Sequence, residues 1–146
     1  MESVRIYEIP QCKMVSSQCG IFGDGKLESF SEWFSSLPRS MFPKDFLWYD
    51  GEQDGLVWYY IYSDGMNIPD EFSIVDFPGG LYAVASEIDG AGSSEVINVI
   101  KNFIKEKDCF EEDNTRQYLG NIPTPPSAYN AMGYNQMDYY VPIKVI

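Results

Sequence analysis

"VRIYEIPQCKMVSS" (residues 4–17) and "FSIVDFPGGLYAVA" (residues 72–85) are the stretches on which the fold turns. At an offset of 68, Ile6 falls on Ile74, Glu8 on Asp76, Ile9 on Phe77, Pro10 on Pro78, Met14 on Tyr82 and Val15 on Ala83. Each stretch reads as a strand, a proline-punctuated bend and a second strand. An amphipathic helix follows each. The spacing predicts the first over residues 26–37, where Leu27, Phe30, Phe34 and Leu37 recur at three- and four-residue steps with Trp33 on the flank. Asp24 is its expected N-cap and Pro38 its stop. The second is expected over residues 94–107, with Val96, Ile97, Val99, Ile100, Phe103 and Ile104 as a broad apolar face. Ser93 or Ser94 caps it, and Lys101, Lys105 and Lys107 suit its C-terminal end. The helices match at an offset of 70, as two residues inserted between strand and helix would produce.

Two further strand-like runs follow each helix: "DFLWYDG" (45–51) and "LVWYYIYSDG" (56–65), then "PSAYNAMG" (126–133) and "MDYYVPIKVI" (137–146). The expected fold is α+β: duplicated strand-helix-strand-strand units, an antiparallel sheet with two main helices, and a pseudo-two-fold central cleft. Residues 1–146 form one domain on this reading, with half repeats at about 1–66 and 70–146. "SDGMNIPDE" (63–71) is a linker, and the polar stretch at 106–127 is an excursion over the surface.

Composition narrows the function. Ten basic residues against 22 acidic give a net charge of −12, a field that repels phosphate backbones. Direct nucleic-acid binding is therefore not expected, and a cationic small molecule or a basic protein surface suits the charge better. No apolar run is long enough to span a bilayer, and the first residues lack a secretory pattern. Cys12, Cys19 and Cys109 have no CxxC spacing and read as free thiols of a cytoplasmic protein. The absence of histidine excludes His-based triads and HExxH zinc sites. No cofactor or metal is expected. Glu111, Glu112 and Asp113 read as a solvated loop, and Gly79 and Gly80 as a tight bend.

The aromatic content, 16%, is what remains to be placed. In the last strand Tyr139, Val141, Ile143 and Val145 share a face that should cover a helix, while Asp138, Tyr140, Pro142 and Lys144 share the other. The first half is expected to turn Trp58 and Tyr60 toward the same region as Asp138 and Tyr140. Aromatic walls with one acid at the base suit a planar organic cation. Ordinary sheet surface is the competing reading for these tyrosines, an edge charge for Asp138, and core or pocket lid for Trp48.

"FPGGLYAVASEIDG", a helix, then "PSAYNAMG" and "MDYYVPIKV" resemble the GyrI-like effector-binding domain, a module also found in multidrug-sensing transcription regulators of the AraC and MerR types. The family's "PGG-x-YAV" strand stands at 78–84 and its "E-I-Y-I-P-I" type strand at 138–143, and the resemblance runs over essentially the whole chain. It implies a duplicated fold with a ligand cleft between the halves. Family members bind bulky, aromatic, often cationic compounds; some inhibit gyrase, and some hydrolyse electrophilic toxins. Tyr140 and Tyr82 match the tyrosines of the two motifs, and Tyr129 that of an "E-x-Y" strand. The family's pocket glutamate is replaced by Ser127, which cannot balance a buried cation.

With no helix-turn-helix segment ahead of it, the chain is expected to be a stand-alone effector-binding module. Its ligand would be a hydrophobic or cationic aromatic small molecule, with a separate regulatory protein as a further partner and no membrane. Two alternatives stay open: a hydrolase of electrophilic compounds on the same scaffold, and an acidic interaction protein that modulates a DNA-processing enzyme.

Overall fold

Runs of alternating β-branched and aromatic residues form most of the strands of this computed structural model, which describes residues 3–146. Met1 and Glu2, where the expected domain begins, lie outside the described residues. The order is β1 (Arg5–Ile9), β2 (Cys12–Ser16), α1 (Lys26–Ser35), β3 (Asp45–Asp50), β4 (Gly55–Ile61), β5 (Ser73–Phe77), β6 (Gly80–Ile88), α2 (Ser94–Lys107), β7 (Phe110–Glu112), β8 (Leu119–Asn121), α3 (Pro126–Met132) and β9 (Gln136–Val145). The fold is α+β, and the ladders within each unit described below are antiparallel.

The chain forms two compact units. One joins the residues up to Pro10 to Gly79–Ile146; the other is Gln11–Pro78. The repeated prolines, Pro10 and Pro78, are thus where the chain passes from one unit to the other. In the ladders, β1 pairs with β6, placing Ile9 opposite Gly80, and β5 pairs with β2, placing Phe77 opposite Cys12. The offset of 68 carries one pair onto the other, so the sequence repeat becomes a reciprocal pairing of leading strands.

In the first unit β9 runs along β6 from Gln136 to Ile143, while its other edge takes β8 at Asp138–Tyr140 and β7 at Ile143–Val145. Pro142 falls in the gap between these two partners. Its carbonyl accepts from the Asp113 N–H at 2.9 Å on that edge. A strand residue points its N–H and C=O to the same neighbour, so the missing proline donor leaves the β6 ladder intact. Helix α2 covers Ala83, Ala85, Val141 and Ile143 with Val96, Ile100 and Ile104. Each such aliphatic burial contributes about 1.5–3 kcal/mol.

Gly80 carries a second constraint. Its φ is 133°, and a Cβ there would meet the Arg116 guanidinium at 2.6 Å. That guanidinium donates to the carbonyls of Leu81 (3.1 Å) and Ile143 (2.7 Å) and to the Asp113 carboxylate (3.1 Å). It therefore clips β6 to β9.

The second unit has the strand order β3-β4-β2-β5. Its core is aromatic, with Phe30 of α1 touching the rings of Trp33, Phe34, Trp58 and Phe72. The residue before α1 is Gly25, at φ 93°; Asp24, the expected cap, accepts instead from the N–H groups of Ile21 (3.0 Å) and Lys26 (2.8 Å).

Two expectations are corrected. "PSAYNAMG" is the helix α3, with Pro126 in its first turn, no β-branched residue and Gly133 ending it at φ 85°. The stretch at 106–127 is not a bare excursion, because it contributes β7 and β8 to the edge of β9.

Gly80→Ala should lower stability by about 2 kcal/mol, through both backbone strain and the Arg116 clash. Urea unfolding of Gly80→Ala, Arg116→Ala and the double variant checks this. The double variant should lose less than the sum of the two single losses, since truncating Arg116 frees the space.

Candidate functional site

On the side of the first unit turned away from α2, alternation along four strands gathers one polar cluster. The register sets Tyr7 opposite Tyr82 and Ser86 opposite Asp138, with Asn121 on the far side of Asp138. Asp138 is only 6% exposed, and a carboxylate so placed needs partners. Arg5 supplies one: its Nη2 donates to Asp138 Oδ1 at 3.0 Å and to Ser86 Oγ at 2.9 Å. The Ser86 hydroxyl donates to the same Asp138 oxygen. The Arg5 Nη1 donates to the Tyr7 hydroxyl at 2.8 Å, and the guanidinium lies over that ring, 5.2 Å from its centroid. Burial opposes the Arg5 charge, but the hydrogen bond and charge of Asp138, with Tyr7 helping, outweigh it and raise its pKa.

Tyr140 stands beside this pair. Its ring is 6.3 Å from Tyr7 and 6.0 Å from Tyr82, and its hydroxyl donates to Asn121 Oδ1 at 3.3 Å. Burial pushes its phenol up to about 12; Asp138 and Tyr7 add to the rise, while Asn121 and Arg5 oppose it. At neutral pH Tyr140 is therefore a hydrogen-bond donor and not a base. The Arg116 guanidinium lies over the Tyr82 ring, 4.7 Å from its centroid.

Of the residues singled out from sequence, Asp138, Tyr140 and Tyr82 come together. Ser127 and Tyr129 do not. Both are exposed on α3, Tyr129 by 44%, and among the described residues neither touches the cluster by hydrogen bond or ring contact. Trp58 and Tyr60 lie on the helix-covered face of the second unit, against Phe34 at 5.1 and 5.5 Å. The register explains the difference from expectation. Val15 faces Tyr60 and its repeat partner Ala83 faces Val141, so Tyr60 corresponds to Val141 and Trp58 to Tyr139. The counterpart of Tyr140 is Tyr59. Trp58 Nε1 donates to Asp45 at 3.0 Å, and burial raises that carboxyl despite the bond.

Trp48 faces Val57, with its ring 5.8 Å from Tyr59 on the side away from α1. Its Nε1 is buried without a partner of hydrogen-bond geometry, yet lies near enough to oppose slightly the rise that burial imposes on the Tyr59 phenol.

Sequence reasoning missed Arg5, Tyr7, Ser86 and Asn121. The alternation of Arg5, Tyr7 and Ile9 in "VRIYEI" is the signal that could have found the first two. Among the described residues no group of acids and cysteines could hold a metal ion, and no helix is long and apolar enough to cross a membrane.

No family model and no curated protein matches the sequence. Solved structures do match. A hydrolase from Listeria innocua is similar over 97% of this chain and 92% of that one, at 9% identity and a TM-score of 0.69. The EcmrR C-terminal domain is similar over 100% of this chain and 99% of that one, at 10% identity and a TM-score of 0.63. SAV2435, solved bound to tetraphenylphosphonium, is similar over 97% and 94%, at 11% identity and a TM-score of 0.55. Identities this low speak for the fold alone: the chain shares the α+β fold of these proteins, as the resemblance of its two motifs leads one to expect.

The Tyr140 phenol sets a pH dependence. Between about pH 10 and 12 the folded chain keeps this proton and the unfolded chain has lost it. Stability should fall with rising pH across that window, by on the order of 2 kcal/mol. Chemical denaturation from pH 9.5 upward should show a shallower decline in Tyr140→Phe; equal slopes would contradict the assignment.

Proposed function

We propose that the chain is a small-molecule binding module whose ligand is a hydrophobic aromatic compound held at the Tyr7–Tyr82–Tyr140 cluster. The observation that carries this reading is the Tyr140 ring against those of Tyr7 and Tyr82, on the strand that carries a buried, hydrogen-bonded carboxylate, within a fold shared with a protein solved with an aromatic cation bound. Rings supply stacking area at low entropic cost, and the polar groups beneath them fix orientation. Binding is the favoured role over hydrolysis because Tyr140 stays protonated at neutral pH and the chain has no histidine.

Calorimetric titration with two phenyl-substituted phosphorus probes, tetraphenylphosphonium and triphenylphosphine oxide, tests the proposal. At least one should bind saturably at one site, and Tyr140→Ala should weaken it about ten-fold, the cost of roughly 1.4 kcal/mol of lost ring contact. Affinity untouched in both Tyr140→Ala and Tyr7→Ala would move the site elsewhere.

A further inference from the structure

The Asp138 cluster has the parts that recognise an organic cation: a buried carboxylate, a hydroxyl and aromatic faces. One of the chain's own cations already fills it. The Arg5 guanidinium engages Asp138, Ser86 and the Tyr7 hydroxyl and lies over the Tyr7 ring. We infer that Arg5 is the specificity-determining residue of this site, and that it turns the site away from cations toward uncharged aromatic ligands carrying a hydrogen-bond acceptor. This rests on the reading that the tyrosine cluster binds an aromatic compound.

Accessibility and donor arithmetic support it. Asp138 and Tyr140 are each 6% exposed, whereas Tyr7 is 38% exposed and so is the Arg5 side chain. An approaching molecule therefore meets Arg5 and Tyr7 first. A cation has two options there. It can sit beside the guanidinium against like-charge repulsion, or it can displace Arg5 and leave a guanidinium without its carboxylate. An uncharged acceptor meets neither obstacle. A guanidinium has five N–H donors, and the three bonds to Tyr7, Ser86 and Asp138 leave two for a ligand oxygen. The ligand's rings can then lie against Tyr7 while Asp138 stays paired.

The same two probes decide the matter, because both carry three phenyl groups on phosphorus, and the fourth substituent is a phenyl on the cation and an acceptor oxygen on the uncharged oxide. Wild-type protein should bind triphenylphosphine oxide at least about ten-fold more tightly than tetraphenylphosphonium. Arg5→Met should reverse the order by uncovering Asp138. Should that variant fail to fold by circular dichroism, Arg5→Met/Asp138→Asn leaves no buried charge and should bind both probes about equally. Equal affinities in wild type, or a preference for the phosphonium, would overturn the inference while the aromatic binding site stands. So would a wild-type preference that persists in the double variant. If neither probe binds wild type or either variant, the binding-site reading falls and the inference with it.

Discussion

A carboxylate buried in a sheet must be neutralised, and Asp138 imposes that requirement on the whole first unit. Left alone, such a group costs several kcal/mol, far more than the strand around it can offset. The chain answers with Arg5, 133 residues earlier, and with Ser86 on the strand between them. Three strands are thereby pinned by side chains as well as by their ladders. The pairing sets the place of β1 and the electrostatics of the tyrosine cluster.

Aromatic residues serve two purposes in this chain, and burial alone does not separate them. In the second unit Phe30 and Phe34 of α1 pack ring against ring with Trp58 and Tyr60 of β4, and the polar contact there is the Trp58 Nε1 bond to Asp45. In the first unit Tyr7, Tyr82 and Tyr140 sit with Arg5, Arg116 and Asn121 close at hand. The first set packs mainly ring against ring, while the second combines buried rings with directional polar contacts.

Local patterning made much of this legible. The bounds of α2, the helix-covering face of β9 and the partnership of Asp138 with Tyr140 all follow from periods of 3.6 and 2, which neighbours in sequence enforce. Legibility ended where a distant residue decided. Alternation says that Trp58 and Tyr60 share a side, but only the ladder with β2 says that this side faces α1. Arg5 announces itself as one surface cation among ten basic residues until β1 is known to lie on β6. The segment at 126–133 misled for a different reason, since its proline and glycine punctuate a short helix as readily as a strand.

The passage of the chain at Pro10 and Pro78 has a consequence for biosynthesis. The ladders that join β2, β3, β4 and β5 lie wholly within Gln11–Pro78, so these ladders can form before residues beyond Pro78 emerge from the ribosome. The first unit is split by chain order: β1 precedes the other unit but finds β6 only after residue 80, and β6 in turn waits for β9, which starts at Gln136. Until β6 emerges β1 is a nascent segment without its strand, and until Asp138 follows Arg5 is without its acid. The cluster that holds Asp138 thus forms later than the ladders of Gln11–Pro78 can.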